Sequence, residues 1–176
     1  MRHFPTFLKK IVDIYERHIL KNANIAILAD ECRLEQHSII KDDRLLILEN
    51  VPTYEKIPYT NLGLKSDANK FSLGYFGVLE KDNRGLEDTV EAIIATSNWE
   101  FHIAGYGELE DFFKEKAKQY PNKIKFYGAQ SPETGLAIMN NMDVLLGLYY
   151  KNIPNHLYAA PNKYYEHLAL GKPLIT

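Results

Sequence analysis

Pro161-Asn162-Lys163-Tyr164-Tyr165-Glu166-His167-Leu168-Ala169-Leu170-Gly171-Lys172-Pro173-Leu174-Ile175-Thr176 is the stretch that decides how the rest of the chain is read. Pro161 presets the backbone for a first helical turn. Gly171 can take the left-handed conformation that ends a helix, and Pro173 forbids its continuation into Leu174 and Ile175. The pattern therefore predicts one short helix bracketed at both ends, with an apolar strand after it. Asn162, Lys163 and Glu166 lie three or four residues apart on neighbouring surface positions, while Tyr165, Leu168 and Ala169 supply packing. The same residues also suit an ordinary surface helix carrying a Lys163–Glu166 ion pair worth about 0.3 kcal/mol.

Upstream, from Lys70 onward, strand and helix patterns alternate. Strand Phe71–Phe76 leads into helix Gly85–Ser97, Glu100–Ala104 into Glu108–Tyr120, Lys123–Tyr127 into Pro132–Asn141, and Asp143–Leu148 through a long loop into the helix at Pro161. Leu86, Val90, Ile93 and Ile94 form an inward stripe on the first of these helices, and Leu136 and Met139 begin one on the third. Four strand–helix units followed by Leu174–Thr176 predict an α/β, Rossmann-like doubly wound parallel sheet, whose ligands gather at the carboxyl ends of the strands. That rule selects four loops: Gly77–Gly85 with Arg84, Gly105-Tyr106-Gly107-Glu108, Tyr127-Gly128-Ala129, and Tyr149–Ala160.

The segment from Pro161 to Ile175 closely resembles the signature of nucleotide-sugar-dependent glycosyltransferases of the GT-B fold, family 4 (group 1), in which Pro-x-Lys-x-x-Glu opens a helix ending in Gly-Lys-Pro. The resemblance implies that residues 70–176 are the nucleotide-sugar-binding C-terminal domain, and that Glu166 accepts hydrogen bonds from two ribose hydroxyls. It implies that Asn162 and Lys163, at the helix N-terminus, face the donor. Gly77 would let the backbone approach the donor and Arg84 would hold its diphosphate; Val78 stands where many relatives carry a second basic residue. Gly105 and Gly107 match a Gly-x-Gly turn of the family, and the backbone at Tyr127, Gly128 and Ala129 would meet the nucleobase. Tyr158 replaces the first glutamate of relatives with a two-glutamate motif, leaving Tyr158, Ala159 or Ala160 to reach sugar or diphosphate through backbone or phenol.

Composition bounds the alternatives. With 45% hydrophobic and 25% charged residues and a net charge of -2, the chain is an ordinary globular sequence with no electrostatic case for nucleic acid. Cys32 is alone, so neither disulfide framework nor zinc spacing exists, which fits a cytoplasmic setting. No apolar run reaches the roughly 18 residues of a spanning helix. No Gly-x-Ser-x-Gly, phosphate-binding Gly-x-x-x-x-Gly-Lys-Ser/Thr, His-Glu-x-x-His or Asp-x-Asp occurs, so no metal and no cofactor beyond the donor substrate are expected, and no residue is assigned a catalytic role. His102, inside an apolar strand, reads as a satisfied core histidine.

Towards the N-terminus, Phe4, Phe7, Leu8, Ile11, Val12, Tyr15 and Ile19 recur at helical spacing and predict an amphipathic helix packed on its own domain, whose basic residues also allow peripheral membrane contact at the inner face. Asn24–Leu28 and Leu45–Leu48 read as strands around a helix at Asp30–Gln36. Residues 1–50 resemble the tail of an N-terminal acceptor domain, 51–69 read as interdomain linker, and the ending just after a strand begins is expected of a fragment with little activity alone. The resemblance implies a retaining hexosyltransferase of polysaccharide biosynthesis with a glycan or lipid-linked acceptor. A GT-B-like nucleotide-sugar 2-epimerase and a non-catalytic α/β binding module share most of these features.

Overall fold

The computed structural model describes residues 6–37, 43–52, 62–64, 69–81, 83–150 and 154–176. They fall into two compact units, Met1–Asn50 with Tyr158–Ala160, and Val51–Leu157 with Pro161–Thr176. In the first unit, helix α1 (Thr6–Asn22) is followed by β1 (Ala26–Leu28), α2 (Arg33–His37) and β2 (Leu45–Ile47), the two strands pairing in parallel. Phe7, Ile11, Val12, Ile14, Tyr15 and Ile19 of α1 are 49–69% exposed. A two-stranded sheet of three-residue strands is too small to cover the apolar face of a helix of 17 residues. Phe4 lies outside the described residues, as do residues 53–61 and 65–68, most of the expected linker. No described helix is long and apolar enough to cross a membrane.

The second unit is the predicted α/β sheet. Its elements run β3 (Phe71–Val78), α3 (Leu86–Ala95), β4 (Trp99–Tyr106), α4 (Glu110–Gln119), β5 (Ile124–Phe126), α5 (Pro132–Asn140), β6 (Val144–Leu146), α6 (Pro154–Leu157), α7 (Asn162–Leu170) and β7 (Leu174–Ile175). All pairs are parallel, in the order β5-β4-β3-β6-β7. The chain thus moves outward one way from β3 and then returns to its other side, placing a topological switch between β3 and β6. β3 and β4 each extend two residues beyond their predicted ends, because the ladder continues through Gly77 and Gly105, which read as loop in the sequence. Within the long connection after β6, α6 supplies one unpredicted helical turn.

Alternate residues of the central strands serve two cores. On one face Leu73, Tyr75, Phe101 and Ile103 pack against Val90 of α3 and Phe113 of α4. On the other, Ala104 and Leu145 meet Met139 of α5 and Leu170 of α7. Gly135, in mid-helix, brings α5 down onto the Phe76 ring, where any side chain would collide. Ser131 caps α5 by accepting from the Thr134 N–H, and Gly171 (φ 63°) closes α7, as its sequence predicts. Phe113 is fully buried and meets the rings of Phe101, Phe112 and Phe126. Phe113→Ala is expected to destabilise this unit by about 3–5 kcal/mol in a urea unfolding experiment.

Candidate donor-binding site

Near the carboxyl ends of β3, β4 and β5 a row of three glycines, Gly77, Gly105 and Gly128, forms a shelf of backbone. Gly77 and Gly105 are in register, with φ of 149° and 151°, and a side chain on Gly105 would run into the Gly77 carbonyl. Only glycine suits this close crossing of backbones. The Gly105 N–H then donates to the Gly128 carbonyl (2.8 Å), tying the third strand end to the row. Gly107 packs equally closely on the Leu79 backbone.

Lys163, in the first turn of α7, reaches across this edge. Its ammonium occupies the space a Gly77 side chain would need and lies 4.5 Å from the centre of the Tyr75 ring. Tyr75 is buried, and its hydroxyl donates to the Val78 carbonyl (2.6 Å). A Lys on an aromatic face in a desolvated place gains roughly 1–2 kcal/mol from the ring quadrupole, less than burial of the charge costs. Burial accordingly pulls Lys163 down to about 8; Glu166 opposes the fall and Arg84 adds to it. Glu166, one turn further along α7, is pushed up by burial and held back by Lys163. The two line a small pocket with Gly74, Phe76, Met139 and Leu145, and the ion pairs among the described residues do not include one between them. The surface ion pair that the sequence also allowed is therefore not what this helix carries.

Arg84 enters from the loop after β3. Its Nε donates to Glu80 (3.3 Å), and its guanidinium lies 4.4 Å from the centre of the Tyr149 ring, just beyond β6. Tyr150 ties the same two loops together: its N–H donates to the Asn83 carbonyl (3.3 Å) and its hydroxyl to Asp88 (2.5 Å). Arg84, Lys163 and Glu166, far apart in sequence, thus meet at one strand edge, where Glu80, paired with Arg84, brings the two cations and two carboxylates to a formal net charge of zero. Within it Lys163 is the charge that burial disfavours and that a nearby anion would stabilise.

The remaining predicted residues divide. Asn162 is exposed at the start of α7, and Ala129 is exposed beyond β5. Tyr127 turns inward, its hydroxyl 2.7 Å from His102 Nδ1, so only its backbone remains with the shelf. Tyr158–Ala160 group with the first unit, where the Ala160 carbonyl accepts from the Asn50 side chain (3.1 Å). Asp82 and Asn152, inside two of the selected loops, lie outside the described residues. Tyr75, Glu80 and Tyr149 were not singled out from sequence; the spacing of Tyr75 two residues before Gly77 was the available signal. Among the described residues no three His, Cys, Asp or Glu side chains gather as metal ligands would.

No protein-family profile matches the chain, and no curated protein matches it by sequence. Solved structures do. Anabaena Alr3699/HepE in complex with UDP-glucose superposes with a TM-score of 0.62 at 17% identity, over 92% of this chain and 47% of that one. The fold is that of the GT-B glycosyltransferases. Such a GT-B chain is equally seen in S. aureus TarM with fondaparinux, alpha-GlcNAc-glycerol and UDP (0.59, 12% identity, 92% of this chain, 31% of TarM). The lipopolysaccharide outer core galactosyltransferase WaaB gives 0.56 at 16% identity, over 88% of this chain and 43% of WaaB. The GT-B portion described here spans from under a third to just under half the length of these three structures.

The charge coupling can be measured directly. In an NMR titration Lys163 is expected to lose its proton near pH 8. Arg84→Leu should raise that midpoint by removing a like charge, and Glu166→Gln should lower it by removing an opposite one. Equal midpoints in all three proteins would mean that the groups do not share a site.

Proposed function

We propose that this chain carries the donor-binding part of a retaining glycosyltransferase of the family 4 type, which moves a hexose from a nucleoside-diphosphate sugar to a glycan or lipid-linked acceptor. The observation that carries the reading is the desolvated Lys163 ammonium held over Gly77 beside Arg84 and Glu166. Two partly buried cations at the end of a sheet suit a diphosphate, because a nearby anion stabilises the Lys163 charge that burial disfavours. The resemblance of Pro161–Ile175 to the family signature implies that Glu166 meets the ribose. UDP and UDP-glucose in the solved GT-B relatives support the same ligand class.

In this reading the base lies against the Tyr127–Ala129 backbone, the ribose against Glu166, and the diphosphate between Arg84, Lys163 and the first turn of α7. As the sugar leaves, charge grows on the diphosphate, and these groups are already aimed at it. Preorganised electrostatic stabilisation of this kind is a large part of many rate enhancements. Residues 1–50 would then be the end of the acceptor domain and 51–69 the link to it.

Calorimetry with UDP and GDP tests the proposal. Saturable binding that Glu166→Ala weakens at least about tenfold is expected, from loss of a charge-assisted pair of hydrogen bonds. Failure of the complete protein to bind any nucleoside diphosphate would remove the reading.

The pH profile gives a second check. Lys163 is cationic below its midpoint, so affinity should be level up to about pH 8. Above that point binding must restore a proton, and affinity should fall by up to about tenfold per pH unit. Lys163→Met is expected to bind more weakly at pH 7 and to lose this step.

A further inference from the structure

A chain of buried polar groups runs through the sheet toward the shelf. Glu100 and His102 are both 0% exposed and, two residues apart in β4, share the face that carries Ala104. His102 Nε2 lies 3.0 Å from Glu100 Oε1, and Nδ1 lies 2.7 Å from the Tyr127 hydroxyl. A carboxylate can only accept, so Nε2 carries a ring proton, and in the neutral imidazole Nδ1 then accepts from the Tyr127 O–H. Burial, with the Glu100 charge adding to it, pushes the Tyr127 hydroxyl up to about 12.

Apolar side chains would fill the same space without desolvating an acid and an imidazole. The polar chain has a definite end point. Tyr127 is the residue just after β5, and every polar group it owns is held: its N–H donates to the Ile103 carbonyl (2.9 Å), its carbonyl accepts from the Gln130 side chain (2.6 Å), and its hydroxyl is taken by His102. Beyond it, Gly128 turns with φ 68° and its carbonyl accepts from Gly105. Fixing a turn on all sides before a ligand arrives removes the ordering cost from binding.

We propose that Glu100, His102 and Tyr127 are positioning residues that hold the Tyr127–Ala129 turn for the nucleobase, and so set base discrimination while leaving the grip on the diphosphate unchanged. This deepens the donor-binding reading and rests on it. Arg84 comes from the loop after β3 and Lys163 from the first turn of α7, so loosening the turn after β5 should not alter what they contribute.

The test is the ratio of dissociation constants for UDP, GDP and ADP in wild type and in Tyr127→Phe, which removes one oxygen atom. The wild type is expected to favour one base, and the variant to lose about fivefold of that preference, the effect of one internal hydrogen bond. Gln130→Ala, which releases the turn from its outer side, should act in the same direction. Unchanged ratios in both variants, an equal loss for all three nucleotides, or no base preference in the wild type would overturn the inference. If the wild type binds none of the three, the donor-binding reading itself falls, a result distinct from binding with unaltered ratios.

Discussion

Burying an ammonium at the end of a parallel sheet is the constraint on which the rest of the structure turns. Lys163 is cationic in water at any physiological pH, and holding it where its pKa drops to about 8 costs the fold roughly 3 kcal/mol relative to an exposed lysine. The neighbourhood offsets this only in part. Tyr75 gives an aromatic face and Glu166 a carboxylate, but Arg84 stands close enough to repel it. Two glycines are needed to make the room: Gly77 leaves the space that the Lys163 ammonium occupies, and Gly105 lets the next strand lie against the Gly77 carbonyl. Such an arrangement costs the empty fold stability, and an anion bound near Lys163 would offset part of that cost.

The topology explains how residues from distant parts of the sequence reach that point. β3 is the first strand of the sheet and also its centre, so the loop after it and the loop after β6 lie side by side at the switch, joined by Tyr150 to Asn83 and by Tyr149 to Arg84. Arg84 and Glu80 come from one side, Tyr149 from the other, and α7 arrives last. The polar groups beneath are satisfied in the same economical way. Ser72 donates through both N–H and hydroxyl to Asp143, and Glu100, His102 and Tyr127 form a line; among the described residues no buried side-chain nitrogen or oxygen lacks a partner.

Much of this was legible from residue order. Pro161 and Gly171 bracket α7 as their backbone preferences require, and the alternating apolar runs from Phe71 to Leu146 give the strand–helix rhythm. What escaped had physical causes. Gly77 and Gly105 interrupt an apolar pattern and read as loop, yet ladder hydrogen bonds need no side chain, so both strands run on to Val78 and Tyr106. Tyr75 and Tyr149 look like packing in one dimension; only folding sets each ring beneath a cation. Tyr127 was read as part of a ligand-facing loop, while its side chain points to a buried histidine that sequence marked only as satisfied. The α1 stripe was read correctly as amphipathic, but periodicity does not say what surface is available to cover it.

Chemical-shift mapping with UDP addresses the central claim most directly, since it locates a ligand without assuming which residues hold it. The account predicts saturable shifts confined to the amides of Gly77, Gly105, Gly128 and the first turn of α7, with the Lys163 proton midpoint rising by more than one pH unit on saturation. Shifts centred on any other surface, or a Lys163 midpoint unmoved by saturating UDP, would contradict it.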